Sequence, residues 1–421
     1  MAAAGGPVPT CVLGIDLGTT SVKAALVTGT ERGLALAQSC SRETQAYSDS
    51  LGAAPQGMEQ DVQKIIKALN ECLAALPQQQ LQRVTHIGVT GQMHGVVFWK
   101  SDKGCKWSES GPGPAFEAEQ VSPLITWRDG RCSPSFLASL PLPQSHVSLA
   151  TGFGCATVYW YLKNRLKKSG FPVHLLPEVG DPGSIAGRTT CAWHGIPKGA
   201  KVGIALGDFQ CSVYSCLTER TDAVLNFSTS AQLTISMPSG FQPPEAPDPS
   251  SALTYFPYFN GDYLAVAASL NGGNVLATFV GMVAQWAQEL GFQVEESAIY
   301  PRIIQAALAQ NPSKLSVHPT LFGERHLPEL LASVSGIGAS ELSLGHVTRA
   351  LCCGLVENLC SMLPVQQLEE MGVRRILGSG SALARNEVLR QEVERIFPFP
   401  VVYGKDVDAA VGAAMVMFHS K

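Results

Sequence analysis

One small hairpin, used twice, constrains the fold more than any other feature. Residues 14–27, GIDLGTTSVKAALV, run as an apolar strand, a turn of small hydroxyl-bearing residues and a second apolar strand. Much later, after VGIALGDFQCSVYSCLTE, the chain restarts at RTDAVLNFSTSAQLTISM. Asp16-Leu17-Gly18-Thr19 then aligns with Asn226-Phe227-Ser228-Thr229. Turn chemistry is limited, so any two β-hairpins share some of this character. Because each hairpin opens one of two halves of similar size, the balance shifts towards a duplicated domain. Only the first copy keeps a carboxylate, so a metal ion would be held from one side.

Between the hairpins, strand-like and helix-like segments alternate. EQDVQKIIKALNECLAAL has apolar residues at three- and four-residue spacing and predicts a helix. VTHIGVTGQMHGVVFWK reads as a strand, a glycine-bounded turn and a further strand. In the second half, NGGNVLATFVGMVAQWAQEL is a glycine pair before a long apolar helix, and RRILGSGSALARNEVLRQEVERIF is strand, glycine turn and helix. DVDAAVGAAMVMF predicts a helix of small residues suited to close packing. The alternation implies an α/β fold. At 421 residues there is room for two domains with separate cores. The expected division is 10–220 and 221–418.

A net charge of −4 and no Lys/Arg-rich run argue against nucleic acid or an anionic membrane as the main partner. The twelve cysteines and nine histidines form no C-x-x-C, no H-x-x-x-H and no mixed cluster. The first residues lack the basic region of a signal peptide, and no apolar run reaches the roughly 18 residues of a membrane span. These features lead to an expectation of reduced thiols in a cytoplasmic protein. Oligomeric state is left open.

Several segments are candidates for chemistry. The turn around Gly18, Thr19 and Thr20 offers backbone N–H groups suited to phosphate oxygens. Lys23 adds charge if it points inward, and Asp16 stands where a carboxylate holds Mg²⁺. A plain hairpin with satisfied hydroxyls is the alternative. GQMHG supplies hydrogen-bonding and apolar groups suited to a sugar, or is a simple turn. TWRDGR is a sugar-site segment or a salt-bridged loop. Asp208, ending an apolar strand in ALGDFQCS, suits a general base or a helix N-cap, and both hold together. GSGSALARNE lacks the spacing of a dinucleotide fold and is weak alone. Combined, two anion cradles, one metal carboxylate, one base and one polyol-friendly turn outline a phosphoryl-transfer enzyme.

GIDLGTTSVKAAL, GVTGQMHGVVFWK, DAVLNFSTSAQL and GSGSALARNEVL also resemble the FGGY-type carbohydrate kinases, in the family's order and over nearly the whole chain. The resemblance implies the two-domain actin/sugar-kinase (ribonuclease H-like) fold, with a cleft between duplicated domains and Mg²⁺ and ATP as cosubstrates. It implies a ketose phosphorylated on its terminal hydroxyl, sedoheptulose first, with xylulose and ribulose as alternatives. Position by position, it makes Asp16 the metal-associated residue and Asp208 the catalytic base. Gln92, Met93, His94, Trp127 and Asp129 fall at the sugar. Gly18, Thr19, Thr20 and Lys23 match the first phosphate loop, and Ser228, Thr229 and Ser230 the second. Gly273, Gly378, Ser379, Gly380 and Asn386 fall where the family holds the nucleotide. One departure stands out: between CATVYWYLKNR and LKKSGFPVHLLP the family carries several dozen more residues, whereas here Arg165 runs almost directly into Lys167 and Lys168. The shortened first domain leaves a second reading open, a nucleotide-binding chain without catalysis.

Overall fold

Two six-stranded sheets repeat one plan. The computed structural model describes residues 11–30, 33–47, 57–108, 114–143, 145–166, 176–217, 219–404 and 408–420. In spatial order the first sheet runs Gly33–Glu43, Ser21–Thr30, Cys11–Leu17, Val84–Gly91, Lys201–Gly207 and Ile185–Arg188. The three strands Cys11–Leu17, Val84–Gly91 and Lys201–Gly207 are parallel, and the remaining pairings are antiparallel. The second sheet runs Leu253–Pro257, Tyr263–Ser269, Ala231–Ser236, Asp222–Phe227, Arg375–Ser379 and Val401–Tyr403. Its last three strands are parallel and the others antiparallel. Each sheet thus joins an antiparallel meander to a parallel trio through the first strand of its hairpin, as the duplicated-domain reading expects.

Burial on both faces explains the apolar run of Cys11–Leu17, in which only Leu17 is not fully buried. One face is covered by the helix Val62–Ala74. Asp61 caps it by accepting from the Gln63 and Lys64 amides, and Ile65, Ala68, Leu69, Cys72 and Leu73 form its buried stripe. The helix Ala409–His419 covers the other face, where Ala414 and Met417 pack on Val12 and Val27. Its approach is close enough that a Cβ on Gly14 would stand 1.8 Å from the Ala410 carbonyl oxygen. On Gly88 it would stand 2.2 Å from that of Ala413. Glycine in the strands and alanine in the helix are therefore one packing solution.

That helix alters the expected division. One compact unit takes in the described residues up to Pro143, Ser148–Ser215 and those from Asp408 on; the other holds Gln144–Val147 and Cys216–Val407. The last helix therefore belongs with the first half rather than with 221–418. In the second unit, the helices Gly273–Glu289, Glu296–Leu308, Leu344–Met362 and Glu387–Ile396 bury one continuous core with the sheet.

Two local expectations differ from the structure. After GQMHG no further strand forms; Val96 and Trp99 make single bridges to Ile125 and Val121. Pro123, between those partners, has no N–H to extend a ladder. The helix expected after GSGS is two helices, Ser381–Arg385 and Glu387–Ile396, broken at Asn386 with φ −121°. The junction after Arg165 lies partly outside the described residues: the helix Gly154–Tyr161 continues as a wider turn over Leu162–Leu166, and 167–175 are not described.

Candidate active site

The parallel trio of the first sheet lines up three segments at its carboxyl edge. Asp16 faces Thr90 in register and Thr90 faces Leu206, so Gly18–Thr20, Gln92–His94 and Asp208 all follow directly from adjacent strand ends. Ligands of open α/β sheets gather at this edge because loops, not side-chain layers, close it. Met93 stands beside Gly207, where a Cβ would come within 3.0 Å of its sulfur. The exposed His94, in the left-handed region at φ 65°, stacks its ring on Phe153 at 4.2 Å.

Asp16 is 7% exposed, and its Oδ1 has no hydrogen-bond partner among the described residues. Burial first, then the neighbouring charge of Asp208, push its pKa up to about 7, against the opposing effect of Lys23. Asp208 opens the helix Asp208–Cys216. Its Oδ1 accepts from the Phe209 amide at 2.7 Å, and burial raises its pKa despite that bond. The bond from the Phe209 amide fixes the carboxylate that would take the proton; it reaches the adjacent amide rather than one two or three residues on, so it differs from the expected N-cap. An orphaned carboxylate oxygen beside a second carboxylate fits a hard divalent cation that keeps water and phosphate oxygens as its other ligands. No group of three or more His, Cys, Asp or Glu side chains suited to a metal occurs among the described residues.

Lys23 lies opposite Asp16 in register, and its Nζ is 3.5 Å from the Asp408 carboxylate at the start of the last helix. It is therefore tethered beside the carboxylates. Trp127, 45% exposed, donates its indole N–H to Thr19 Oγ1 at 3.1 Å and joins its TWRDGR loop to the turn of the first hairpin. Asp129, expected at the sugar, is engaged within its own loop. It is 1% exposed, and its two oxygens accept from the Arg131 guanidinium, the Arg131 amide and the Met58 amide. Arg131 also bonds Glu59 and Tyr161. These bonds make Asp129 a brace of its own loop.

In the second unit, Ser228, Thr229 and Ser230 follow the strand Asp222–Phe227, with the Ser228 amide bonded to the Ser230 carbonyl oxygen at 2.9 Å. The Gly273 and Asn274 amides bond the Ser228 and Thr229 carbonyl oxygens, which seats the start of a seventeen-residue helix on this turn. Ser379 is buried, and Gly380 takes φ 99° where a Cβ would meet the Phe227 carbonyl oxygen at 2.2 Å. Only glycine suits both conditions. Gly378 is a packing residue against the Tyr403 ring. Asn386 is fully buried; it caps Glu387–Ile396 through the Leu389 amide and donates to the Cys352 sulfur.

The sequence reading overlooked Gln60 and Asp408. Both precede helices, where a polar residue signals a cap, and nothing local betrays their long-range partners.

The first 11–109 residues match the N-terminal domain of the FGGY family of carbohydrate kinases. Sedoheptulokinases of Mus musculus and Homo sapiens are each 57% identical to this chain, with 96% of both chains covered. The mouse match runs over 459 positions against the 421 residues here, so the relative has segments without a counterpart. Among solved structures, xylulose kinase from Rhodospirillum rubrum superposes with a TM-score of 0.76 at 19% identity, covering 96% of this chain and 89% of its own. Identity over nearly the full length, joined to the repeated sheets, makes this chain a member of the FGGY family of carbohydrate kinases.

Proposed function

We propose that the chain transfers the γ-phosphoryl group of ATP to the terminal hydroxyl of sedoheptulose, giving sedoheptulose 7-phosphate. The observation that carries the reading is the pairing of Asp208 with Asp16 at one sheet edge, in a chain 57% identical to sedoheptulokinases. Asp208 accepts the proton of the attacking hydroxyl. Its raised pKa makes it a better proton acceptor than an ordinary carboxylate. Met93 and His94 present apolar and polar faces to the sugar, and Trp127 closes the loop beside them. Asp16 Oδ1 holds the magnesium ion, which when bound neutralises charge on the phosphate oxygens. Thr19 and Thr20 in the first unit, and Thr229 and Ser230 in the second, offer backbone N–H and hydroxyl groups to phosphates, while Gly18, Ser228 and Gly273, whose amides bond within the turns, and Gly380 set the shape of the two cradles. The sugar thus belongs to the first unit and the nucleotide mainly to the second. A cytoplasmic setting suits the twelve free thiols, and no described helix is long and apolar enough to cross a membrane.

A second reading, nucleotide binding without turnover, rests on the shorter stretch after Arg165. ADP release with Mg-ATP and sedoheptulose, xylulose, ribulose or glycerol tests both. Sedoheptulose-dependent release that drops about 10²–10⁴-fold in Asp208→Asn supports the kinase. Soluble, cooperatively melting protein with no sugar-dependent release supports the second reading.

A further inference from the structure

Gln60 is completely buried between two segments of the candidate site. Its Nε2 donates to the Thr19 carbonyl oxygen at 2.6 Å, and its Oε1 accepts from Gln92 Nε2 at 3.1 Å. The direction of this relay is set at one end. A backbone carbonyl only accepts, so Gln60 must turn its NH₂ to Thr19 and its oxygen to Gln92. Gln92 then commits its own NH₂ to Gln60. What remains is Gln92 Oε1, buried and without a donor among the described residues. A buried acceptor left unmet is costly, so this oxygen calls for a hydroxyl from a ligand or an ordered water.

We propose that Gln60 is a positioning residue of the sugar site: it locks the Gln92 amide so that Gln92 presents an acceptor to a sugar hydroxyl, and it ties that amide to the first phosphate turn. The inference rests on the ketose-kinase reading. The ionised neighbours of Gln60 are engaged elsewhere, Glu59 by Arg131 and Asp61 by the helix amides it caps. Trp127 holds Thr19 from a second direction, so the turn that Gln60 meets is fixed.

The test compares wild type, Gln60→Glu and Gln60→Met by sedoheptulose-dependent ADP release from about pH 5.5 to about pH 8.5. A protonated carboxyl at this position reproduces the relay, because its O–H donates to Thr19 and its carbonyl oxygen accepts from Gln92. The ionised form has no donor and faces a carbonyl oxygen. The variant-to-wild-type ratio of kcat/KM for the sugar should therefore lie near one at the acid end and fall at least about tenfold at the alkaline end. Gln60→Met, similar in volume but without donor or acceptor, should raise the sugar KM about tenfold at every pH. A ratio that is flat with pH, or wild-type KM in both variants, overturns the inference. If Gln60→Glu fails to fold, Gln60→Met and Gln92→Met are combined: a double variant no worse than Gln92→Met alone supports the relay, and fully additive losses overturn it. Wild-type protein without sugar-dependent turnover overturns the kinase reading and this inference together; wild-type turnover with a flat ratio overturns this inference alone.

Discussion

The first hairpin leaves its carboxylate open, whereas the second closes its amide on itself. Asp16 and Asn226 occupy matching places. Each stands near the end of its strand, between an antiparallel partner (Lys23 or Gln232) and a parallel one (Thr90 or Ser379). Yet Asp16 Oδ1 has no partner among the described residues, while Asn226 Oδ1 accepts from Ser228 Oγ at 3.0 Å. One backbone plan therefore serves two ends: a charge kept under tension in the first unit and a satisfied, neutral turn in the second. A buried carboxylate held this way destabilises the empty protein, and a bound cation would relieve it.

Making the first turn like the second is the strongest way to break this contrast. Asp16→Asn should lower kcat about a thousandfold, since the charge stabilisation supplied through the metal is worth several kcal/mol; ADP release in saturating Mg-ATP checks it. The same variant should melt higher than wild type without ligands. The folded pKa of Asp16, about 7, lies above the ordinary aspartate value of 3.8, so the native state binds the extra proton between them. Wild-type stability then falls as pH rises through that window. The gain in Asp16→Asn should be absent below about pH 4 and greatest near pH 8, on the order of 4 kcal/mol at most, read by denaturant melts. A gain that does not depend on pH would refute the proposed tension.

Backbone requirements differ between the turns too. Gly380→Ala should cost about 1–3 kcal/mol in a urea melt, because it forces a side chain into φ 99° and against Phe227. The smallest effect is expected from giving the second turn a charge. Asn226→Asp keeps the bond from Ser228 but places a negative charge near the proposed phosphate loop. The KM for ATP should rise about tenfold with little change in melting, measured at fixed Mg²⁺.

Much of this was legible in the chain because it is written locally. Strand, small turn and strand identify the hairpins, and apolar spacing marks Val62–Ala74 before any contact is known. Asp208 was recognisable from its place at the end of an apolar strand. The partners of Asp129 and Asn386 were not, because they are remote in sequence or belong to a network. Arg131 is close in sequence to Asp129, but the loop shape also needs Glu59 and Met58, about 70 residues earlier. The environment of Asn386 includes Cys352 on another helix. The small residues of the last helix signalled close packing, and only the sheet glycines Gly14 and Gly88 reveal which sheet receives it.

That last helix has a consequence for how the protein is made. Synthesis delivers the strands of the first sheet, with Asp16 at its edge, before the second unit, but the residues that cover one of its faces follow that unit in the chain. Until then Val12 and Val27 face water or a chaperone, and the second unit has time to form first. A stop codon placed after Asp408 would thus be felt far away in the sequence: the sheet that carries Asp16 and Asp208 would lose its cover, while the second unit's core, which uses none of the residues of that helix, would stay whole.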